Sequence, residues 1–351
     1  MPVSGDKNIT TPIYKPEATF KIFGGLCGSC ILRNPFLPNK HGHKTPKNHD
    51  DNGYYVIAGK KISMNHKRRE FIKLGGNLAA GLALAPLAGK MLNMDETAKL
   101  EKFGIQLWTV KVALGKDPQG VLKQLSEDGY KQIESFEGSK GIFWGMSNTD
   151  FKKYMDDLGM TIISSHCNIN KDFEKKADEA AAIGMKYLLC PAIGAPKTAD
   201  DAKKVTDQFN KCGEICKKAG IRFAYHNHDH DFKMVDNQPA LELYMQNTDP
   251  ALVDYEMDIY WVVTAEQDPE AWLKKYKNRF RLCHIKDRIK NTTQKDASCI
   301  LGEGSIDFAK IVKTAKDNGM QYYIVEQERY DNTTEMDCAK ADAAYLKTFK
   351  F

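Results

Sequence analysis

From about Phe103 onward, short apolar runs alternate with stretches whose apolar residues recur at helical spacing. Residues 102–108 read as a strand, and Val121, Leu122 and Leu125 mark a helix over 118–128. A second strand covers 129–135, and Asn148 is placed to cap a helix running to residue 158. A strand at 160–165, a helix through 177–182 and a strand at 186–190 follow. The long helix 200–219 ends at Gly220, a residue suited to the left-handed turn that closes helices. Further strands fall at 221–225, 252–257, 280–285 and 322–325, with helices at 239–247, 268–277, 306–318 and 334–348. Repeated strand–helix units without antiparallel hairpin signals imply an all-parallel sheet of the α/β class. Eight such units over about 250 residues point to a closed (β/α)8 TIM barrel spanning 100–351. An open doubly wound sheet would carry a glycine-rich turn after its first strand, and Gln106, Leu107, Trp108, Thr109 and Val110 supply none.

The N-terminal quarter has a different pattern. Residues 74–87 are rich in Leu, Ala and Gly on every face, which does not suit an amphipathic helix. They follow Arg68, Arg69, Glu70, Phe71, Ile72 and Lys73, which resemble the twin-arginine export motif. The apolar run is short for a membrane span and fits the core of a signal peptide. Cleavage positions of the small-x-small kind follow at Ala83, Leu84 and Ala85 and at Pro86, Leu87 and Ala88. Residues 64–90 are therefore expected to be a twin-arginine-type signal peptide. The mature protein is expected in the periplasm, with no stable membrane insertion after signal removal. Met64 is the expected start, and residues 1–63 an upstream extension with little periodicity.

Composition narrows the partners. The net charge is +5, with much of the basic excess in the first 73 residues, so nucleic-acid binding is not expected. Nine cysteines in 351 residues are too sparse for a disulfide scaffold. Cys190 and Cys283 lie in apolar strand-like runs and read as free buried thiols. Cys27 and Cys30 form a lone pair in a Gly-rich stretch, without the four ligands of a zinc site.

The chemistry gathers where the strands end, the rim at which such barrels work. Gln106 and Trp108 close the first strand and Glu134 the second. Ser165, His166, Cys167 and Asn168 follow the third. His226, Asn227, His228, Asp229, His230 and Asp231 follow the fifth. Glu256, Met257 and Asp258 end the sixth, with Trp261 beyond. Cys283, His284, Ile285, Lys286 and Asp287 end the seventh, and Glu326, Gln327 and Glu328 the eighth. Unpaired charge is costly out of water, so this density of ionisable groups implies a bound cation or ligand. Imidazole and carboxylate donors suit Mn, Mg, Co, Zn or Fe.

At these residues the chain resembles the sugar phosphate isomerase/epimerase group of the xylose isomerase-like TIM-barrel superfamily. The resemblance covers Phe103 to the end. It rests on Tyr225 through Asp229, on Met257 and Asp258 with Trp261, and on His284 through Asp287. Gly302, Glu303 and Gly304 with Asp307 and Phe308, and Val325 with Glu326, complete it. It implies one divalent metal ion held by His226, Asp258, His284 and Glu326. The strand-five ligand in that group is usually Glu. Here His226 occupies the position, and His228, of the same parity, stands as its alternative. Asp258 also reads as a helix cap, and Glu328 shares the parity of Glu326.

The resemblance further implies proton removal next to a carbonyl of a small carbohydrate, through an enediolate. Glu326 is the candidate acid/base, with His166 or Lys286 as its counterpart. Trp108, Glu134, His228 and Trp261 are candidates for substrate binding, and Trp144 for a third tryptophan of a sugar-stacking wall. Isomerisation or epimerisation is the first expectation. A lyase or hydratase acting on 3-keto-glycosides is the alternative, because a histidine at position 226 removes one of the two carboxylates that epimerases of this kind use. A non-catalytic sugar-binding barrel is the reading from another class, and a DNA-repair nuclease ranks below these because it needs a multinuclear site.

Overall fold

The eight barrel strands pair in the order in which the chain makes them. The computed structural model describes residues 54–57, 60–63 and 98–351. The strands are β1 (Gly104–Gln106), β2 (Gln132–Phe136), β3 (Thr161–His166), β4 (Tyr187–Cys190), β5 (Arg222–His226), β6 (Val253–Asp258), β7 (Phe280–Ile285) and β8 (Tyr322–Val325). All neighbouring pairs are parallel, and β8 closes onto β1. The expected (β/α)8 barrel is the observed one. In the N-terminal unit, Tyr54–Ile57 and Lys60–Ser63 form a separate antiparallel hairpin. The expected signal segment lies outside the described residues. Among the described residues, no helix is long and apolar enough to cross a membrane.

Eight main helices follow the strands: α1 (Pro118–Asp128), α2 (Asn148–Asp157), α3 (Phe173–Ala182), α4 (Ala199–Ala219), α5 (Ala240–Asn247), α6 (Pro269–Lys275), α7 (Phe308–Asp317) and α8 (Glu335–Thr348). Their ends are set by local chemistry. Asp117 accepts from Gly120 N and precedes Pro118, and Thr198 accepts from Asp201 N at the start of α4. Gly220 closes α4 at φ 89°. The cap of α2 is Ser147, one residue before the expected Asn148. Ser147 Oγ reaches Asp150 N at 3.1 Å, while Asn148 Nδ2 turns to Glu179 O.

Two apolar assemblies result. The outer one lies between strands and helices and includes Phe151, Phe209, Phe223, Tyr225 and Tyr244, all fully buried. Each such side chain contributes roughly 1.5–3 kcal/mol on burial. The inner one, Ile163, Tyr187, Leu189, Ala224, Leu282 and Ile324, plugs the barrel interior. Above that plug the inward positions turn polar. Extra residues in two strands re-aim them. Ile133 pairs with Ile162 but Glu134 with Ser164, which leaves Ile163 extra on β3. Tyr255 pairs with Phe280 but Glu256 with Leu282, which leaves Arg281 extra on β7. Such bulges tilt the residues beyond them, here His166 and His284.

The strand expected at 102–108 stops at Gln106. Gln106 Oε1 accepts from Trp108 N at 3.0 Å and starts a 3-10 turn over Leu107–Val110. Trp108 therefore sits on a rim turn, 39% exposed. The loops also contain two short antiparallel pairs the pattern did not signal, Met234–Val235 with Gln238–Pro239 and Asp287–Arg288 with Ser298–Cys299. Cys190 and Cys283 are free and buried, as expected.

One buried acid on α8 gives the fold a pH dependence. Burial, with Asp287 and Glu303 adding repulsion, pushes the Asp342 carboxyl up to about 8, against the Leu301 N–H that it accepts. The unfolded chain releases this proton near pH 4, so this group's contribution to stability is greatest below that and is lost as pH rises to about 8. From this group alone the slope approaches about 1.4 kcal/mol per pH unit. Asp342→Asn is expected to flatten that decline in thermal melts between pH 5 and 9. An unchanged slope would contradict it.

Candidate metal centre

The site begins with two histidines whose protons are placed by their neighbours. His226, at the end of β5, has Nδ1 3.1 Å from Pro191 O, and a carbonyl only accepts. Its proton is therefore on Nδ1, and Nε2 presents a lone pair. His284, on β7, has Nε2 2.8 Å from Glu134 Oε1. Burial raises the Glu134 carboxyl, but His166 and His284 outweigh it and hold Glu134 well below the usual range. Glu134 thus accepts from His284 Nε2, and Nδ1 of His284 would present a second lone pair once the imidazolium gives up its other proton. The two nitrogens face each other 3.1 Å apart.

Two carboxylates complete the group. Asp258 Oδ2 lies 3.6 Å from His226 Nε2 and 3.7 Å from His284 Nδ1, and Glu326 Oε2 lies 3.3 Å from His284 Nδ1. Asp258 Oδ1 accepts from Trp261 N at 3.0 Å and caps the short helix Ile259–Thr264. Oδ2 is buried with no hydrogen-bond partner. Asp258 thus caps a helix with one oxygen and turns the other towards the group. The four atoms lie within 4.8 Å of one another, on β5, β6, β7 and just past β8.

Carboxylates and imidazoles converging out of water call for positive charge, which Lys286 supplies in part and a divalent cation would complete. Two imidazole nitrogens and two carboxylate oxygens suit Mn, Fe, Co or Zn, and the orphaned Oδ2 fits the same conclusion. Burial lowers the affinity of His284 for a proton, but Glu256 and Glu326 outweigh it and hold its imidazole well above the ordinary range. A cation entering here displaces that proton.

Lys286 is the fixed charge of the site. Burial is outweighed by Glu326, Asp258 and Glu328, so the ammonium stays protonated. It lies 3.1 Å from Glu326 Oε2 and 3.8 Å from Asp258 Oδ2, and pairs closely with Glu328. It also lies 5.0 Å from the ring centres of Tyr260 and Trp261. Glu326 is held below the usual range, because Lys286 and His284 outweigh burial.

The remaining expected residues fall into place around this group. His166, on β3, lies between Glu256 and Glu134, its Nε2 2.9 Å from Glu256 Oε2 and 3.2 Å from Glu134 Oε1. Burial opposes its charge, but the two carboxylates push it up to about 10. His228 lies outside the four-ligand group. Its ring centre is 5.6 Å from that of Trp261, its Nδ1 is buried without a partner, and burial keeps it neutral. Trp108 donates Nε1 to Glu328 Oε1 at 3.2 Å. Trp144 is buried, donates to Ser135 Oγ and packs on Phe136, so it does not join an open stacking wall. Asp287 accepts from the N–H groups of Gly302, Gly304 and Ile306. A Cβ on Gly304 would meet Asp287 Oδ1 at 2.1 Å, so these glycines secure a loop anchor.

Glu256 joins the site although strand-end reasoning assigns it no role. It is fully buried two positions before Asp258, on the same strand parity, and that spacing was the available signal. Burial and the Glu134 charge raise its carboxyl, and its Oε1 has no partner.

Comparison with known proteins agrees with this architecture. The family described as xylose isomerase-like TIM barrel matches residues 122–349. A sugar phosphate isomerase/epimerase structure from Parabacteroides distasonis is 34% identical, with a TM-score of 0.62, over 72% of this chain and 95% of that one. Inosose dehydratase from Clostridium perfringens is 28% identical over 146 residues, 38% of this chain and 48% of that protein. The chain thus spans about half the length of the curated relatives it matches. The structure of an IolI protein with a bound zinc atom shares the fold, at 15% identity and a TM-score of 0.57, over 70% of this chain and 96% of that one.

Proposed function

This chain belongs to the xylose isomerase-like TIM-barrel family, and on that footing we propose that it is a divalent-metal enzyme acting on a small polyhydroxylated ketone. The reaction removes a proton beside the carbonyl and expels the oxygen substituent at the β position. The observation that carries this is the convergence of His226 Nε2, Asp258 Oδ2, His284 Nδ1 and Glu326 Oε2, with Oδ2 buried and accepting no hydrogen bond. These residues would hold the cation, which supplies Lewis-acid polarisation of a carbonyl oxygen.

Glu326 is ionised at the edge of the group and takes the proton from carbon. Its low proton affinity makes it a weak base, so it acts only on a carbon already acidified by the neighbouring carbonyl. Lys286, held protonated, stabilises negative charge on oxygen and gives a proton to the departing one. The C–H bond breaks towards Glu326 and the C–O bond towards the leaving group, which departs as water or an alcohol. Trp108 and Trp261 offer aromatic surface at the mouth for the carbohydrate.

Elimination is favoured over two-sided epimerisation. It needs a single proton-abstracting base, which Glu326 supplies, and the second carboxylate used in two-sided epimerisation is replaced here by His226. The likeness to a protein named inosose dehydratase supports the same choice. Isomerisation, with Glu326 returning its proton to the adjacent carbon, is the second reading, supported by the likeness to a sugar phosphate isomerase/epimerase. Arg68 and Arg69 with the apolar run behind them support an exported, periplasmic enzyme that meets glycosides, a reading that cell fractionation checks.

A screen of inososes and 3-keto-glycosides against free aldoses and ketoses tests the proposal. The expected result is loss of water or alcohol from a keto substrate, abolished by chelator and restored by a divalent ion. Turnover that survives complete metal removal would contradict it.

A further inference from the structure

Beneath the four-ligand group is a second convergence of donor atoms that the proposed reaction does not use. Nε2 of His166 lies 2.9 Å from Glu256 Oε2 and 3.2 Å from Glu134 Oε1. Nε2 of His284 lies 2.8 Å from Glu134 Oε1 and 3.3 Å from Glu256 Oε2. Four donors around one ion at ordinary zinc-ligand distances stand about 3.4 Å apart, close to this spacing. The other Glu256 oxygen, Oε1, is buried without a partner. His284 belongs to both groups, offering Nδ1 to the upper and Nε2 to the lower.

We propose that Glu134, His166, Glu256 and His284 form a second divalent-cation site, joined to the first by the His284 ring. Two imidazoles and two carboxylates make a donor set for Mn, Fe, Co or Zn. Binding the second ion sends the Nε2 proton of His284 to solvent and leaves that ring as a bridging imidazolate. Charge favours the arrangement. Five carboxylates, the buried Glu134, Glu256, Asp258 and Glu326 with the half-buried Glu328, face one buried lysine, Lys286. One divalent ion leaves the cluster two negative charges from neutrality, and the second ion with the imidazolate halves that excess. A protonated His166 halves it equally and is the rival occupant. His166 is the one lower donor with measurable exposure, at 7%.

The inference rests on the proposed function only for the upper ion. The test is manganese stoichiometry of the chelator-stripped full chain, by equilibrium dialysis and elemental analysis. Manganese is chosen because the chain's nine cysteines favour softer ions. Two ions per chain are expected, with a spin-coupled manganese pair in electron paramagnetic resonance. His166→Asn and Glu256→Gln are each expected to bind one ion with an uncoupled signal, and His226→Ala to keep one. One ion in the unaltered chain, unchanged in both lower-site variants, would overturn the second site and leave the first standing. No bound ion at all would overturn both. The unaltered chain by itself distinguishes one ion from two, so a variant that fails to fold leaves the test intact.

Discussion

His284→Ala is expected to lower metal affinity by at least about 100-fold and to take activity with it. Loss of residues that merely orient metal ligands already costs about 10–100-fold, and His284 offers its own Nδ1 to the group. Both of its nitrogens are engaged, Nε2 with Glu134 and Nδ1 opposite His226. No neighbouring imidazole can take its place, because His166 is fixed between Glu134 and Glu256 and His228 lies outside the group. The barrel should still form, since the outer packing between strands and helices does not include this side chain. Calorimetric titration with manganese, beside circular dichroism of the same sample, separates the two effects. Unreduced affinity in a folded variant would contradict the site as drawn.

Glu326→Gln is expected to lower turnover by about 10²–10⁴-fold, with a much smaller effect on metal affinity. The amide oxygen still coordinates but has lost the basicity that removes a proton from carbon. Lys286 keeps a charged partner in Glu328, so its position should hold. The measurement is kcat with metal at saturation, set against the metal dissociation constant of the same variant. A fall in affinity that accounts for all the lost activity would assign Glu326 to metal binding alone.

The barrel was legible because its determinants are local. Apolar strands four to six residues long, capped helices and Gly220 at a helix end all leave their mark within a few positions. The end of β1 was not legible, because the Gln106 side chain turns back onto Trp108 N and replaces a strand with a 3-10 turn. The paired loop segments at 234–239 and 287–299 depend on contacts across the loops and carry no alternating pattern.

The site was legible in its ligand types and strand positions but not in its depth. Strand-end position marked His226, Asp258 and His284, the resemblance implied them as ligands, and Glu256 shares the strand end without being implied. What the sequence did not show is that Glu134, His166 and Glu256 pack into one buried network below them. The extra residues at Ile163 and Arg281 follow from the register between neighbouring strands, which the pattern within one strand does not carry. The fate of His166 changed most. With no cation between them, Glu134 and Glu256 favour its protonated form, so it is not a ready base.

Anomalous scattering from crystals grown with manganese tests the metal centre most directly. A peak is expected within coordination distance of His226, Asp258, His284 and Glu326 together, beside Asp258 Oδ2. No peak among those four side chains in a crystal whose dissolved protein is active would contradict it.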